Sequence, residues 1–168
     1  MLNWIVIGIG DIATRRVIPA IQAESRSRLY GLVTRDAAKA APFGVRSWET
    51  LDPALADPAV HAVYVGTPVF LHALQTIQSL RAGKHVLCEK PMARSETEAH
   101  SMLDAADESG KTLGVAYYRR CYPKVQRAKQ LLAAGRRDIV AERKPPRVDP
   151  LARSEDGRDQ VGPANDDG

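Results

Sequence analysis

Short apolar runs rich in β-branched residues recur through the first 135 residues, and segments with helical spacing separate them. LNWIVIG, RLYGLVT, GVRSW, HAVYVGT, HVLCE and TLGVAYY read as six strands. Residues 11–23, 36–41, 49–56, 69–82 and 95–109 read as the helices between them, and 123–134 as a last helix. Gly83, Gly110 and Gly135 stand where helices should stop. Ser95 with Glu98 three residues on forms a capping box. Pro19 lies inside the first helical segment and predicts a kink or a late start. Strands alternating with helices at this spacing argue for a parallel sheet covered on both faces. Right-handed crossovers then give a doubly wound α/β fold of the Rossmann type.

The fold is expected over residues 1–135. From 136 to 168 the chain has no aromatic residue, and charges and prolines dominate. Such a segment cannot bury enough surface to offset the entropy of ordering, so a disordered tail is expected. No apolar run is long enough for a membrane span. The apolar start enters a turn at once, which reads as a first strand and not as a signal peptide. Net charge is +4, but the basic residues are dispersed beside acids, which argues for a solvated surface and against nucleic acid. Two cysteines make no disulfide framework, so a reducing cytoplasm is expected. No His/Cys spacing suggests a metal.

Gly8-Ile9-Gly10-Asp11-Ile12-Ala13 follows the first strand and opens a helix. In that context a GxGxxA pattern is expected to bind a dinucleotide, the alternative being a turn that merely needs small residues. Gly8 permits the tight turn, Gly10 admits a pyrophosphate to backbone N–H groups, and Ala13 allows close helix–strand packing. Other adenosine ligands use similar loops. The second strand ends in Thr34, Arg35 and Asp36. An arginine there suits a ribose 2′-phosphate, and Thr34 can donate a hydroxyl bond. Asp36 is placed to cap the next helix. The cofactor expectation is therefore NADP over NAD. Gly66-Thr67-Pro68 ends the fourth strand, and Glu89-Lys90-Pro91 the fifth. In an open parallel sheet these turns share one rim with the glycine loop. Lys90 there can donate to a substrate oxygen or move a proton. Glu89 can bond a ribose or hold Lys90; both can also be plain surface charges. His72 reads equally as a ligand contact or as a helix-start residue with a local hydrogen bond.

GIGDIA, GTPVFLH, AGKHVLCEKPMA and YYRRCYP, in this order, resemble the Gfo/Idh/MocA oxidoreductases, named after glucose-fructose oxidoreductase and inositol dehydrogenase. AGKHVLCEKP is the most specific signature, and the resemblance covers residues 1 to about 135. It implies a Rossmann domain that binds NAD or NADP and serves hydride transfer to or from sugars, polyols or related hydroxy compounds. By this resemblance Lys90 is the catalytic residue, near the reacting carbon and the substrate oxygen. Gly8, Gly10, Asp11, Ile12 and Ala13 hold the pyrophosphate, while Thr67, Pro68, His72 and Glu89 line the nicotinamide and ribose region. Arg120 matches the arginine of the family's Arg-Phe-x-Pro-like segment, with Cys121 in place of the usual aromatic.

The family's second α/β domain, which carries much of the substrate pocket and the usual dimer surface, has no counterpart here. The family-like sequence stops near LLAAG, and the residues beyond it have the composition of a frameshifted or truncated reading. Neighbouring frames of the encoding DNA should then show a family-like continuation past Gly135. Three readings compete: an NAD(P)-dependent oxidoreductase, of which this half alone turns over weakly or not at all; a cofactor-binding module or degraded enzyme without turnover; and a methyltransferase-like adenosine-ligand enzyme. Lys90 and the nicotinamide-side motifs argue against the third.

Overall fold

In the first strand, β1 (Leu2–Ile7), both faces are apolar: Ile5 and Ile7 point one way, Val6 the other. A strand buried on both sides must lie inside a sheet covered twice. The computed structural model describes residues 1–135, so the expected tail, 136–168, lies outside the described residues. Five further strands join β1: β2 (Ser27–Val33), β3 (Arg46–Trp48), β4 (Ala62–Val65), β5 (His85–Cys88) and β6 (Leu113–Val115). All pair in parallel, in the order β3-β2-β1-β4-β5-β6.

The helices are α1 (Ile18–Ala23), α2 (Ala37–Ala40), α3 (Leu51–Ala56), α4 (Val69–Arg81), α5 (Glu96–Ser109) and α6 (Pro123–Ala133). Ile18, Ile21 and Ala40 of α1 and α2 pack with Val6, Leu29 and Leu32 on one face. Leu55, Leu80 and Met102 of α3, α4 and α5 pack with Ile5, Val63 and Val86 on the other. This is the expected doubly wound fold. By contact the chain divides into two compact units, residues 1–119, which hold the whole sheet, and a second beginning at Arg120, to which α6 belongs.

Three local expectations were refined. Helical backbone does begin at Asp11, but Ala13–Val17 is a π turn, in which the Ile18 N–H reaches the Ala13 carbonyl. Pro19 comes directly after; it has no N–H to continue an α ladder, and the widened turn ends beside it. The third helix starts at Leu51, not at 49, because Thr50 is still extended. The capping box at α5 is half formed. Ser95 accepts the Glu98 N–H at 3.2 Å, but Glu98 reaches past the cap to the Arg94 N–H at 2.9 Å and the Arg94 guanidinium.

Candidate functional site

Strand order reverses between β1 and β4, so the loops after these strands part and leave a crevice at the carboxyl rim. Gly8 ends β1 with φ +84. A Cβ there would lie 2.7 Å from the Gly66 carbonyl carbon and oxygen and 2.8 Å from the Thr67 nitrogen. The Gly66 N–H donates to the Ile7 carbonyl at 2.8 Å. The two loops thus meet backbone to backbone, and glycine is the residue that permits it. Gly66 in turn rests on the Tyr64 ring, which a Cβ would approach to 2.7 Å.

Gly10 is different: a Cβ there would meet nothing within 4 Å. Protein packing gives no reason for glycine at this position, whereas a pyrophosphate drawn close to the backbone does. The loop therefore fits a dinucleotide. Ala13 is 2% exposed and packs among the core residues of one sheet face. Asp11 and Ile12 are exposed at the first turn, where the helix N–H groups lack intrahelical acceptors. Asp11 lies 4.0 Å from Arg15, one turn on.

At the end of β2 the Thr34 hydroxyl is used locally: it accepts the Asp36 N–H at 3.1 Å and donates to the Asp36 carbonyl at 3.4 Å. Asp36 caps α2 as expected, its Oδ1 accepting the Ala38 N–H at 3.1 Å. That leaves Arg35 exposed, with no ion-pair partner among the described residues.

The turns after β4 and β5 are tied together by His72, which is 2% exposed. Its Nε2 lies 2.7 Å from the Thr67 carbonyl and its Nδ1 2.9 Å from the Pro91 carbonyl. Both ring nitrogens thus face backbone carbonyls, and a neutral ring donates to one of them. Thr67 donates its hydroxyl to Gln75 Oε1 at 2.6 Å, and Pro68 is the exposed residue at the start of α4. The Lys90–Pro91 peptide is cis. Cys88 is buried beneath this turn; burial pushes its thiol up to about 11, so it stays protonated and inert.

Glu89 does not hold the Lys90 ammonium. One carboxylate oxygen accepts the Lys90 backbone N–H at 2.9 Å, and the other accepts the Tyr64 hydroxyl at 2.9 Å. The Lys90 side chain is exposed at the rim. Tyr64 went unnoticed in the sequence. Its signal was a tyrosine inside a strand apolar on both sides, since a buried phenol needs an acceptor. Burial first, and then the adjacent Glu89 carboxylate, push the Tyr64 phenol well above the ordinary tyrosine value. Arg120 belongs to the second unit, where its carbonyl accepts the Gln126 side chain.

The comparisons agree with this geometry. A family model, GFO_IDH_MocA, described as an oxidoreductase family with an NAD-binding Rossmann fold, matches residues 2–117. A 1,5-anhydro-D-fructose reductase of Ensifer adhaerens is 39% identical over 140 residues, covering 81% of this chain and 42% of the relative. An NADP+ D-xylose 1-dehydrogenase of Haloferax volcanii is 35% identical over 137 residues, covering 77% of this chain and 41% of the relative. Among solved structures, a 3-ketoreductase of Actinomadura kijaniata in complex with NADP and TDP-benzene matches with a TM-score of 0.75 at 33% identity, over 80% of this chain and 42% of its own. The chain thus spans about two fifths of the length of these relatives. With the β1 glycine loop, the β4 turn and the Glu-Lys-Pro turn on one rim, the chain belongs to the Gfo/Idh/MocA family of oxidoreductases and carries its NAD(P)-binding Rossmann fold.

Proposed function

We propose that residues 1–135 are the cofactor-binding part of an oxidoreductase that moves hydride between NADP(H) and a carbon of a sugar, polyol or related hydroxy compound. The observation that carries this reading is Gly10: it is open to the rim where its neighbour Gly8 is locked against Gly66. Gly8, Gly10, Asp11, Ile12 and Ala13 shape the pyrophosphate loop. Thr67, Pro68 and Glu89 border the nicotinamide side, and His72 holds the two turns there in place. The bound nicotinamide supplies the hydride chemistry. Lys90, exposed at the end of β5, orients the substrate oxygen and gives or takes its proton.

NADP is favoured over NAD by the end of β2. Asp36 is committed to a helix cap and Thr34 to Asp36, so Arg35 is the group left to meet a ribose substituent, and a guanidinium suits a phosphate. The NADP-linked relatives support the same choice. Both cysteines are free, in keeping with a reducing cytoplasm. No helix among the described residues is long and apolar enough to cross a membrane. A second reading, cofactor binding without turnover, is favoured for these 168 residues taken alone by the two fifths of the relatives' length that they span.

The test is a fluorescence titration of the chain with NADPH and with NADH. Saturable binding, tighter for NADPH, is the expected result. Absence of binding by either would sink the reading, and tighter NADH would remove the role given to Arg35. In any preparation that shows turnover, Lys90→Ala should retain cofactor binding and lose that turnover.

A further inference from the structure

We propose that Tyr64 is the positioning residue of this site: one buried ring fixes both the glycine contact behind the pyrophosphate loop and the carboxylate that leads into Lys90. The purpose of this arrangement rests on the cofactor reading above; its geometry does not.

Tyr64 is 1% exposed, yet its hydroxyl reaches Glu89 Oε1 at 2.9 Å. A phenol buried this deeply is costly without an acceptor, so ring and carboxylate hold each other. The second carboxylate oxygen is bonded by the Lys90 N–H at 2.9 Å. Glu89 is thus pinned from two sides, and a carboxylate so held keeps further lone pairs to offer as acceptors. Hydroxyl groups, such as those of a ribose or of a sugar substrate, are the donors they suit. Without the tyrosine hydroxyl the carboxylate is free to swing to solvent or to the Lys90 ammonium, and the Lys90 backbone loses its anchor. The ring edge next to that hydroxyl carries Gly66: a Cβ there would come within 2.7 Å of Cε1. Gly66 in turn is the surface on which Gly8 closes. The glycine loop and the Glu-Lys-Pro turn therefore take their positions from one side chain.

Tyr64→Phe removes the hydroxyl and keeps the ring. The first readout uses no cofactor: amide hydrogen exchange of the full chain. The Lys90 amide should exchange about tenfold faster or more, as fits loss of the acceptor's orientation. The Glu89 amide, bonded to the Val65 carbonyl at 2.9 Å, should keep its protection and serves as the fold control. An unchanged Lys90 amide overturns the proposal. A second variant changes no core side chain: Glu89→Ala should shift the ¹³Cζ resonance of Tyr64, and an unmoved resonance also overturns it. The binding arm compares NADPH with 2′,5′-ADP, which lacks the nicotinamide half. Tyr64→Phe should weaken NADPH several-fold and leave 2′,5′-ADP unchanged, and equal loss for both would reduce Tyr64 to a general structural role. If the unaltered chain binds neither ligand, the cofactor reading fails, while the exchange result still decides whether Tyr64 positions the turn.

Discussion

The two rims of the sheet both carry polar side chains and use them differently. At the amino rim, side chains satisfy their own surroundings. Lys84, 7% exposed, donates to the Asp57 carbonyl at 3.0 Å and the Val60 carbonyl at 2.9 Å. The Asp57 carboxylate takes the Ala59 N–H at 2.9 Å, the Tyr30 hydroxyl at 3.0 Å and Arg46 at 2.7 Å. These bonds, the Ala59 N–H foremost, hold its carboxyl below the usual range. His61 and His85 accept the Asn3 and Thr112 N–H groups at 3.0 and 3.1 Å. At the carboxyl rim, His72 and Tyr64 join one turn to another, while the helix start, Arg35 and Lys90 face outward. What separates a binding rim from a structural one is where its hydrogen bonds end. A closed network holds strands; a network that ties turns and leaves donors outward is ready for a ligand.

Substitutions can break this contrast in order of effect on folding. Gly8→Val forces a side chain into the Gly66 backbone at a positive φ, and should cost roughly 2–6 kcal/mol in urea denaturation and abolish NADPH binding. A variant within about 1 kcal/mol of the parent would refute the close contact. His72→Ala and Lys84→Met each remove a buried side chain that two backbone carbonyls face, and should cost about 1–3 kcal/mol. They part company in the cofactor titration: His72→Ala weakens NADPH, and Lys84→Met leaves it alone. Equal effects on binding would erase the distinction between the rims.

A smaller effect depends on pH. Up to about pH 10 the Tyr64 phenol is protonated in both the folded and unfolded chain. Above that the unfolded chain releases the proton and the folded chain, whose phenol is pushed up by burial and by Glu89, keeps it. Stability therefore falls as pH rises, by up to about 1.4 kcal/mol per unit from this group. Tyr64→Phe should flatten that part of the curve; identical slopes would mean that the phenol ionises normally. The smallest effect on folding belongs to Gly10→Ala, within about 0.5 kcal/mol, since a methyl group there meets nothing. Its NADPH affinity should nevertheless drop, and full affinity would remove the reason for glycine at that position.

Elements were legible where a local period or a single residue decides them. The β-branched runs marked the strands, Asp36 and Ser95 marked caps, and Pro19 marked the disturbed first helix. The rim positions of Gly8, Glu89 and Lys90 followed from topology alone. The bond from Tyr64 to Glu89 did not, because it joins neighbouring strands. It depends on a register in which Tyr64 pairs with Leu87 and Val65 with Cys88, leaving Glu89 just past the strand end within the phenol's reach. The reach of Glu98 to Arg94 in place of the cap was hidden for a related reason: an arginine beside the cap competes for the carboxylate.

The π turn at Ala13–Val17 bears on how this chain is compared with others. Five residues at α-helical spacing would separate Ala13 and Ile18 by about 140° around the axis. Here both are buried, because the turn holds one residue more than an α turn. A chain one residue shorter at this place could follow the same path as a plain α-helix. A single-residue gap against a relative within the first helix is then a change of winding and not of fold, and positions on either side of it correspond only after an offset of one.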